Sequence, residues 1–168
     1  MQQVAIGLGS NLGDREEYLL AAYRQLRQML RMPRVSGVYE TPPVGYANQP
    51  KYLNAVMAGY TRLTAKELFE LLKSLELSLG RTKLHSGLPR EIDLDLLLYG
   101  QEVIRVGREA HLVVPHPRLH ERWFALKPLL EVWPGASHPV LRVSVLYLLE
   151  RIPQPPEAVP YHLDWQRA

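Results

Sequence analysis

The sequence predicts a single globular domain in which strands alternate with helices. Its 168 residues are 46% hydrophobic and 22% charged, which supplies enough apolar material for one hydrophobic core. Apolar residues recur at every second position in some stretches and at every third or fourth position in others, the spacings of strands and helices. We expect the domain to occupy residues 1–152 and a proline-rich tail, irregular in structure, to occupy residues 153–168.

The chain begins with the pattern of a strand followed by a helix. Residues 4–8 form an apolar run that predicts a buried strand, and the small polar residues from Gly7 to Gly13 predict a tight turn after it. Asp14 and Glu17 resemble a capping box at the start of a helix. We expect this helix to end at Pro33, because proline cannot continue it.

Two further strands and a second helix follow. Residues 35–40 and Tyr52–Thr61 carry the alternation of strands. Thr64 and Glu67 form a second capping box, and leucines at helical spacing continue the helix to Gly80, a residue that commonly follows a helix C-terminus.

The remaining elements are shorter. After Gly100 we expect a small hairpin over residues 102–105, then a helix from about Leu119 and a last helix over residues 144–151.

The strand most clearly marked by its sequence lies in residues 89–100, PREIDLDLLLYG. Side chains two positions apart on a strand share a face. The pattern therefore predicts one face with Ile92, Leu94, Leu96 and Leu98, and an opposite face with Asp93, Asp95, Leu97 and Tyr99.

Asp93 and Asp95 are candidate metal ligands because they point to the same side of this strand. Two adjacent carboxylates repel each other, and a hard divalent cation such as Mg²⁺ relieves the repulsion by binding their oxygens. Arg90, just upstream, is a fixed cation that can bind a phosphate or carboxylate with two hydrogen bonds. The alternative is a half-buried strand with two solvated aspartates, and this short motif leaves both interpretations open.

The loop over residues 81–90 and the residue Asn54 are further candidates. The loop is basic, contains glycine and leads directly into the aspartate strand, so we expect it to close over phosphates as a lid. Asn54 lies at the start of an apolar strand, where its amide needs hydrogen-bond partners. It either caps a turn or binds the polar edge of a heterocycle.

Composition excludes several classes of protein. The net charge of +3 suits a phosphate-bearing ligand but is too small to indicate duplex binding. There is no cysteine, which excludes disulfides, thiolate metal sites and a cysteine nucleophile. No apolar run has membrane-spanning length, and the first residues lack the pattern of a signal peptide. We expect a cytoplasmic enzyme or binding domain without nucleic-acid or membrane partners.

The motifs together resemble hydroxymethyl-dihydropterin pyrophosphokinases of the folate pathway. The resemblance extends over residues 4–152 and rests on six segments in the order of that family. These are GSNLGD from Gly9, YETPPVG from Tyr39, QPKYLNAV from Gln49, LELSLGR from Leu75, PREIDLDLLLYG from Pro89 and VPHPRLHERWFAL from Val114.

The resemblance implies a fold, a reaction and a set of ligands. Its fold is an α+β, ferredoxin-like sandwich, in which an antiparallel sheet is packed with helices. Its reaction moves the β,γ-pyrophosphate of ATP onto the hydroxymethyl group of a reduced pterin and releases AMP. Two Mg²⁺ ions are implied as cofactors, with ATP as co-substrate.

The resemblance also assigns roles to residues of this sequence. The implied metal ligands are Asp93 and Asp95, which with Arg81 and Arg90 form the implied catalytic set. The implied ATP-binding residues are Glu76, Lys83, Arg90, Leu96 (through its backbone), His116 and Arg122. The implied pterin-binding residues are Thr41, Pro42, Val44, Tyr52, Asn54 and Phe124.

Some of these assignments depend on the resemblance alone. By default Phe124 is a core residue of its helix, and His116 between two prolines is a turn residue. Many members of the family carry a tryptophan in the lid, where this chain has Ser86, Gly87 and Leu88.

Two other functions fit a ferredoxin-like sheet. RNA binding needs a basic and aromatic central strand rather than an acidic one, and a regulatory binding domain does not need the paired aspartates and basic lid together.

Overall fold

The computed structural model describes residues 1–44, 48–82, 88–108 and 111–168. Within these ranges, short 3₁₀ helices occupy Leu119–Glu121 and Trp165–Arg167. The α-helices of the described residues are α1 (Arg15–Met29), α2 (Ala65–Ser78), α3 (Trp123–Val132) and α4 (Val145–Glu150). The strands of the same residues are β1 (Gln2–Ser10), β2 (Arg31–Val35), β3 (Val38–Thr41), β4 (Tyr52–Thr61), β5 (Asp93–Tyr99), β6 (Ile104–Val106), β7 (Leu112–Val114), β8 (Ser137–His138), β9 (Val143–Ser144) and β10 (Val159–Tyr161).

The main sheet is antiparallel and has the order β10-β3-β4-β1-β5, with β2 also paired to β4. Strand β1 lies between β4 and β5 and pairs with both of them. The order of strands and helices from β1 to β5 is that of a ferredoxin-like fold, which confirms the predicted fold class.

Helices cover both faces of this sheet. One buried cluster lies between the sheet and helices α1 and α2 and includes Ile6, Leu26 and Leu72. A second cluster lies on the opposite face, against α3 and α4, and includes Ala5 and Leu129. Each fully buried leucine or isoleucine contributes about 1.5–3 kcal/mol. The alternation along β1 supplies both clusters, because successive side chains point to opposite faces.

The predicted helix caps are present. The Asp14 side chain accepts a hydrogen bond from the Glu17 N–H (3.1 Å). Thr64 and Glu67 form the complete capping box, in which each side chain accepts from the backbone of the other residue (3.2 and 2.7 Å). Each such cap typically stabilises a helix by about 1 kcal/mol.

The single strand predicted over residues 35–40 is wrong in its bounds. Two strands, β2 and β3, replace it, and both pair with β4. Ser36 lies at the break, where its hydroxyl accepts a hydrogen bond from the Val56 N–H (2.9 Å). The predicted end of the first helix is also wrong. The helix was expected to continue to Pro33 but ends at Met29, and Pro33 lies in β2.

The predictions for the later elements need two further corrections. The hairpin expected over residues 102–105 is instead formed by β6 and β7, with Ile104 opposite Val114. The tail expected to be irregular contains β10, which pairs with β3. The Trp165 indole N–H also donates to the Ser36 carbonyl (2.9 Å), which holds residues after β10 against the domain.

The alternation predicted for β5 fails at its end. Leu94 and Leu96 lie in the first cluster as expected, but Leu98 lies in the second cluster and Tyr99 in the first. The register between β1 and β5 shifts at this level, and one extra residue exchanges the faces of all later side chains.

Among the described residues, none of the helices combines the length and apolar character that crossing a membrane requires.

Candidate active site

A cavity of about 480 Å³ opens on the α3 side of the sheet, over β1, β4 and β5. Most of the residues implied by the sequence resemblance line it. They are Thr41, Pro42, Val44, Tyr52, Asn54, Arg90, Asp93, Asp95, His116, Arg122 and Phe124.

Two glycines of β1 form the floor of this cavity. Gly9 lies between Asn54 and Asp93 in the sheet, and Gly7 lies between Val56 and Asp95. The turn expected from Gly7 onward is therefore wrong for both residues, because β1 continues to Ser10. Two glycines spaced two apart in an apolar strand share a face, and this spacing was the available signal for a close approach to the backbone.

Space above Gly9 is limited. A Cβ atom placed there would lie 3.2 Å from the Asn54 Oδ1 atom and 3.6 Å from the Tyr52 ring. A Cβ at Gly7 would make only ordinary contacts with Leu97, at 3.5 Å or more. The glycine at position 9 therefore leaves Asn54 and Tyr52 free to contact a ligand.

Asp93 and Asp95 lie on one face of β5, as predicted, but their surroundings differ. The Asp93 Oδ1 atom lies 3.2 Å from the Arg81 Nη1 atom and 3.1 Å from the Arg90 Nη1 atom. Among the described residues, the Asp95 Oδ2 atom lies 3.9 Å from the His116 Nε2 atom and 3.9 Å from the Arg122 Nη1 atom. Burial, and then the charge of Asp93, raises the pKa of Asp95 above its ordinary value. Asp95 is therefore the carboxylate that gains more from an added cation.

His116 is held as a neutral hydrogen-bond donor. Its backbone N–H donates to the Leu97 carbonyl (3.0 Å), and its Nδ1 atom accepts from the Arg118 N–H (3.1 Å). Because Nδ1 accepts, the ring proton lies on Nε2, the atom nearest to Asp95. Burial, and then the charge of Arg122, lowers the pKa of His116 to about 4.

Arg122 is a half-buried cation whose hydrogen bonding is incomplete. Within the part of the chain that the structure describes, its Nε atom is buried and has no hydrogen-bond partner. Its guanidinium lies 5.6 Å from the centre of the Phe124 ring. A buried donor of this kind is costly unless an acceptor binds it, so Arg122 is suited to an anionic ligand.

Tyr52, Asn54 and Phe124 give another part of the cavity an aromatic and amide lining. The Asn54 Nδ2 atom donates to the Thr41 hydroxyl (2.7 Å), which fixes the orientation of the amide. Burial raises the pKa of Tyr52, so the ring stays neutral. Aromatic faces beside a fixed amide can stack on a flat heterocycle and bind its polar edge.

Among the described residues, the implied residues Glu76, Arg81 and Leu96 do not line the cavity. Glu76 is 2% exposed and lies beneath β5. It binds Arg81, whose Nη1 atom lies 2.5 Å from the Glu76 Oε2 atom. Leu96 belongs to the first core cluster. Residues 83–87, which include Lys83 and make up half of the expected lid, lie outside the described residues.

Arg118 lines the cavity and was not identified from the sequence. Its Nε atom lies 3.2 Å from the Glu121 Oε2 atom, and its side chain is half exposed. Arg118 and Arg122 are four residues apart in the basic segment that begins at His116. That spacing of arginines was the available signal for a second cation at this wall.

Comparison with known proteins identifies the class of this site. Residues 5–134 match the model of the family described as 7,8-dihydro-6-hydroxymethylpterin-pyrophosphokinase (HPPK). By class, then, the chain is a pyrophosphokinase, a transferase that acts on ATP.

Two bacterial relatives support the same family. The chain is 44% identical over 142 residues to the 2-amino-4-hydroxy-6-hydroxymethyldihydropteridine pyrophosphokinase of Aquifex aeolicus, covering 84% of this chain and 87% of that protein. It is 46% identical over 129 residues to the protein of the same name in Bacillus subtilis, covering 76% and 75%. The chain belongs to the 7,8-dihydro-6-hydroxymethylpterin-pyrophosphokinase family.

Solved structures support the fold. A crystal structure of Plasmodium falciparum HPPK-DHPS with pteroate superposes with a TM-score of 0.70 at 14% identity, over 89% of this chain. This chain spans 42% of that longer chain. At this level of identity the likeness shows a shared fold for the matched part.

Proposed function

We propose that this chain transfers the β,γ-pyrophosphoryl group of ATP to the hydroxymethyl group of 6-hydroxymethyl-7,8-dihydropterin within the cavity over β1, β4 and β5. The hydroxyl oxygen attacks the β-phosphorus, the bond from that phosphorus to the oxygen of the α-phosphate breaks, and AMP leaves while the hydroxyl proton is lost. The observation that carries the proposal is the position of an acidic pair, surrounded by arginines, beside an aromatic and amide lining in one cavity.

The aromatic and amide lining is the proposed pterin site. Tyr52 and Phe124 stack on the faces of the bicyclic ring, and stacking of this kind is worth about 0.5–1.5 kcal/mol beyond burial. The Asn54 amide, held by Thr41, binds the polar edge of the ring. Pro42 and Val44 extend the same wall.

The basic wall is the proposed phosphate site. Arg90, His116 and Arg122 contact phosphate oxygens, His116 as a neutral donor and the arginines as cations. Arg81 and Lys83 add charge from the loop that precedes β5, and the Leu96 backbone is proposed for the adenosine end. Phosphoryl transfer depends mainly on positioning and charge stabilisation, which suits a site that is rich in arginine and poor in nucleophiles.

Asp93 and Asp95 fit Mg²⁺ binding by their chemistry. Both provide hard oxygen donors on one face of β5, and the pKa of Asp95 is raised by burial and then by the charge of Asp93, which a bound cation would offset. No group of three or more metal-binding side chains occurs among the described residues, so phosphate oxygens of ATP would supply further ligands. Two bound ions would neutralise triphosphate charge in the transition state.

The proposal is tested by identifying the nucleotide product. Purified protein is incubated with ATP, Mg²⁺ and 6-hydroxymethyl-7,8-dihydropterin, and AMP and ADP are quantified by chromatography. Formation of AMP together with a pterin diphosphate supports the proposal. ADP would indicate a simple kinase, and binding of both ligands without turnover would indicate a regulatory domain.

We place this reaction in the cytoplasm, where ATP is available.

A further inference from the structure

Helix α2 contacts strand β5 through two charged side chains outside the cavity. The Glu76 Oε1 atom accepts a hydrogen bond from the Leu94 N–H (2.8 Å), and the Lys73 Nζ atom donates to the Leu94 carbonyl (3.1 Å). Lys73 and Glu76 also bind each other at 2.9 Å. Both backbone groups of one residue are thus bound by a single ion pair.

Leu94 is the residue between Asp93 and Asp95. It lies on an outer strand of the sheet, and among the described strands none pairs with its outward backbone groups. The Lys73–Glu76 pair takes the place of that missing strand at this one residue. Fixing the backbone at Leu94 also fixes the two carboxylates on either side of it, because their positions follow from the same two peptide units.

Glu76 acts on Asp93 by a second route. Its other oxygen, Oε2, binds Arg81, and the Nη1 atom of that arginine lies 3.2 Å from the Asp93 Oδ1 atom. Glu76 and Arg81 are buried, with 2% and 9% of their surfaces exposed. A carboxylate buried this deeply is tolerated because three donors satisfy it. Glu76 therefore contributes to fixing the Arg81 guanidinium beside Asp93.

We propose that Lys73 and Glu76 are positioning residues, which hold the backbone of Leu94 and the Arg81 side chain so that Asp93 and Asp95 keep their places in the cavity. The inference rests on the proposed function for its effect on turnover. It differs from direct contact of Glu76 with adenosine, which would affect affinity for ATP rather than the rate of the chemical step.

The test uses an exposed ion pair on the same helix as its control. Lys66 and Glu70 lie 3.8 Å apart with about two thirds of each side chain exposed. Glu70→Gln and Lys66→Met are therefore matched to Glu76→Gln and Lys73→Met. For each variant, kcat, the dissociation constant for ATP and the unfolding midpoint are measured.

We expect Glu76→Gln to lower kcat roughly tenfold to hundredfold, the usual effect of losing a charged hydrogen bond. Its dissociation constant for ATP should change by no more than about threefold. Lys73→Met should lower kcat by a smaller factor, and both controls should stay within about twofold of the wild type. A wild-type kcat in Glu76→Gln, or a loss confined to ATP affinity, would overturn the inference.

A measurement on the ligand-free wild type tests the inference without requiring turnover and without requiring that the variants fold. Hydrogen exchange at the Leu94 amide of the wild type should be slow, as for amides inside the sheet, despite its place on an outer strand. Rapid exchange there would show that the ion pair does not hold the strand, whatever the activity. If the wild type produced no AMP while this amide was protected, the proposed function would fail and the positioning of β5 would stand.

Discussion

Replacing Gly9 with alanine should weaken pterin binding without weakening ATP binding. The added Cβ would lie 3.2 Å from the Asn54 Oδ1 atom, closer than ordinary van der Waals contact, so the Asn54 amide must move by a few tenths of an ångström. This movement disturbs the 2.7 Å hydrogen bond from Asn54 to Thr41 and the proposed bond from Asn54 to the pterin edge. We expect a loss of about 1–2 kcal/mol, roughly fivefold to thirtyfold in Kd.

Gly7→Ala is the matched control on the same strand. Its Cβ would contact the Leu97 side chain at 3.5–3.7 Å, an ordinary distance. Neither glycine has a positive φ, so alanine introduces no backbone strain at either position. Isothermal titration calorimetry would measure pterin and ATP affinities separately for both variants. Wild-type pterin affinity in Gly9→Ala, or equal losses in both variants, would refute the assignment of Asn54 to the pterin edge.

Three further predictions concern the acidic pair and the aromatic ring. Asp95→Ala should lower kcat on the order of a thousandfold with an unchanged circular dichroism spectrum, because a cation that neutralises transition-state charge is lost; a wild-type rate would contradict the metal assignment. Phe124→Ala should weaken pterin binding much more than ATP binding in calorimetry, whereas equal losses would identify Phe124 as a core residue. Because the pKa of Asp95 is raised, the folded, ligand-free protein binds the proton of this carboxyl group more tightly than the unfolded chain does. Protonation of Asp95 therefore contributes its full stabilisation below the ordinary pKa of 3.8, and this stabilisation is lost as pH rises through the raised pKa. Asp95→Asn should therefore increase the free energy of unfolding at pH 8 more than at pH 4, and an equal change at both values in urea titrations would contradict the shift.

The sequence alone was sufficient where a local pattern determined the structure. The capping box at Thr64 and the strand Tyr52–Thr61 depend on neighbouring residues and have the predicted bounds. Asp93 and Asp95 share a face because of the two-residue period of a strand, and the structure confirms this arrangement.

Local sequence patterns did not predict the structural features that depend on contacts between distant residues. The exchange of faces at Leu98 comes from a register shift against β1, more than ninety positions earlier in the chain. The interruption at Ser36 depends on its hydrogen bond with Val56. The hydrogen bonds from helix α2 to Leu94 likewise join residues brought together only by the fold. For this reason the sequence indicated Glu76 by resemblance but did not reveal its contact with the strand backbone.

The pairing of β10 with β3 also affects how the sheet meets other protein molecules. An exposed outer strand with free backbone groups invites a strand from another chain and promotes aggregation. Here the outer strand on that side carries Pro160, opposite Tyr39. A proline lacks the N–H that an incoming strand would need, and such residues are tolerated in sheets mainly at edges. Pro160 therefore disfavours the pairing of a further strand at this edge of the sheet.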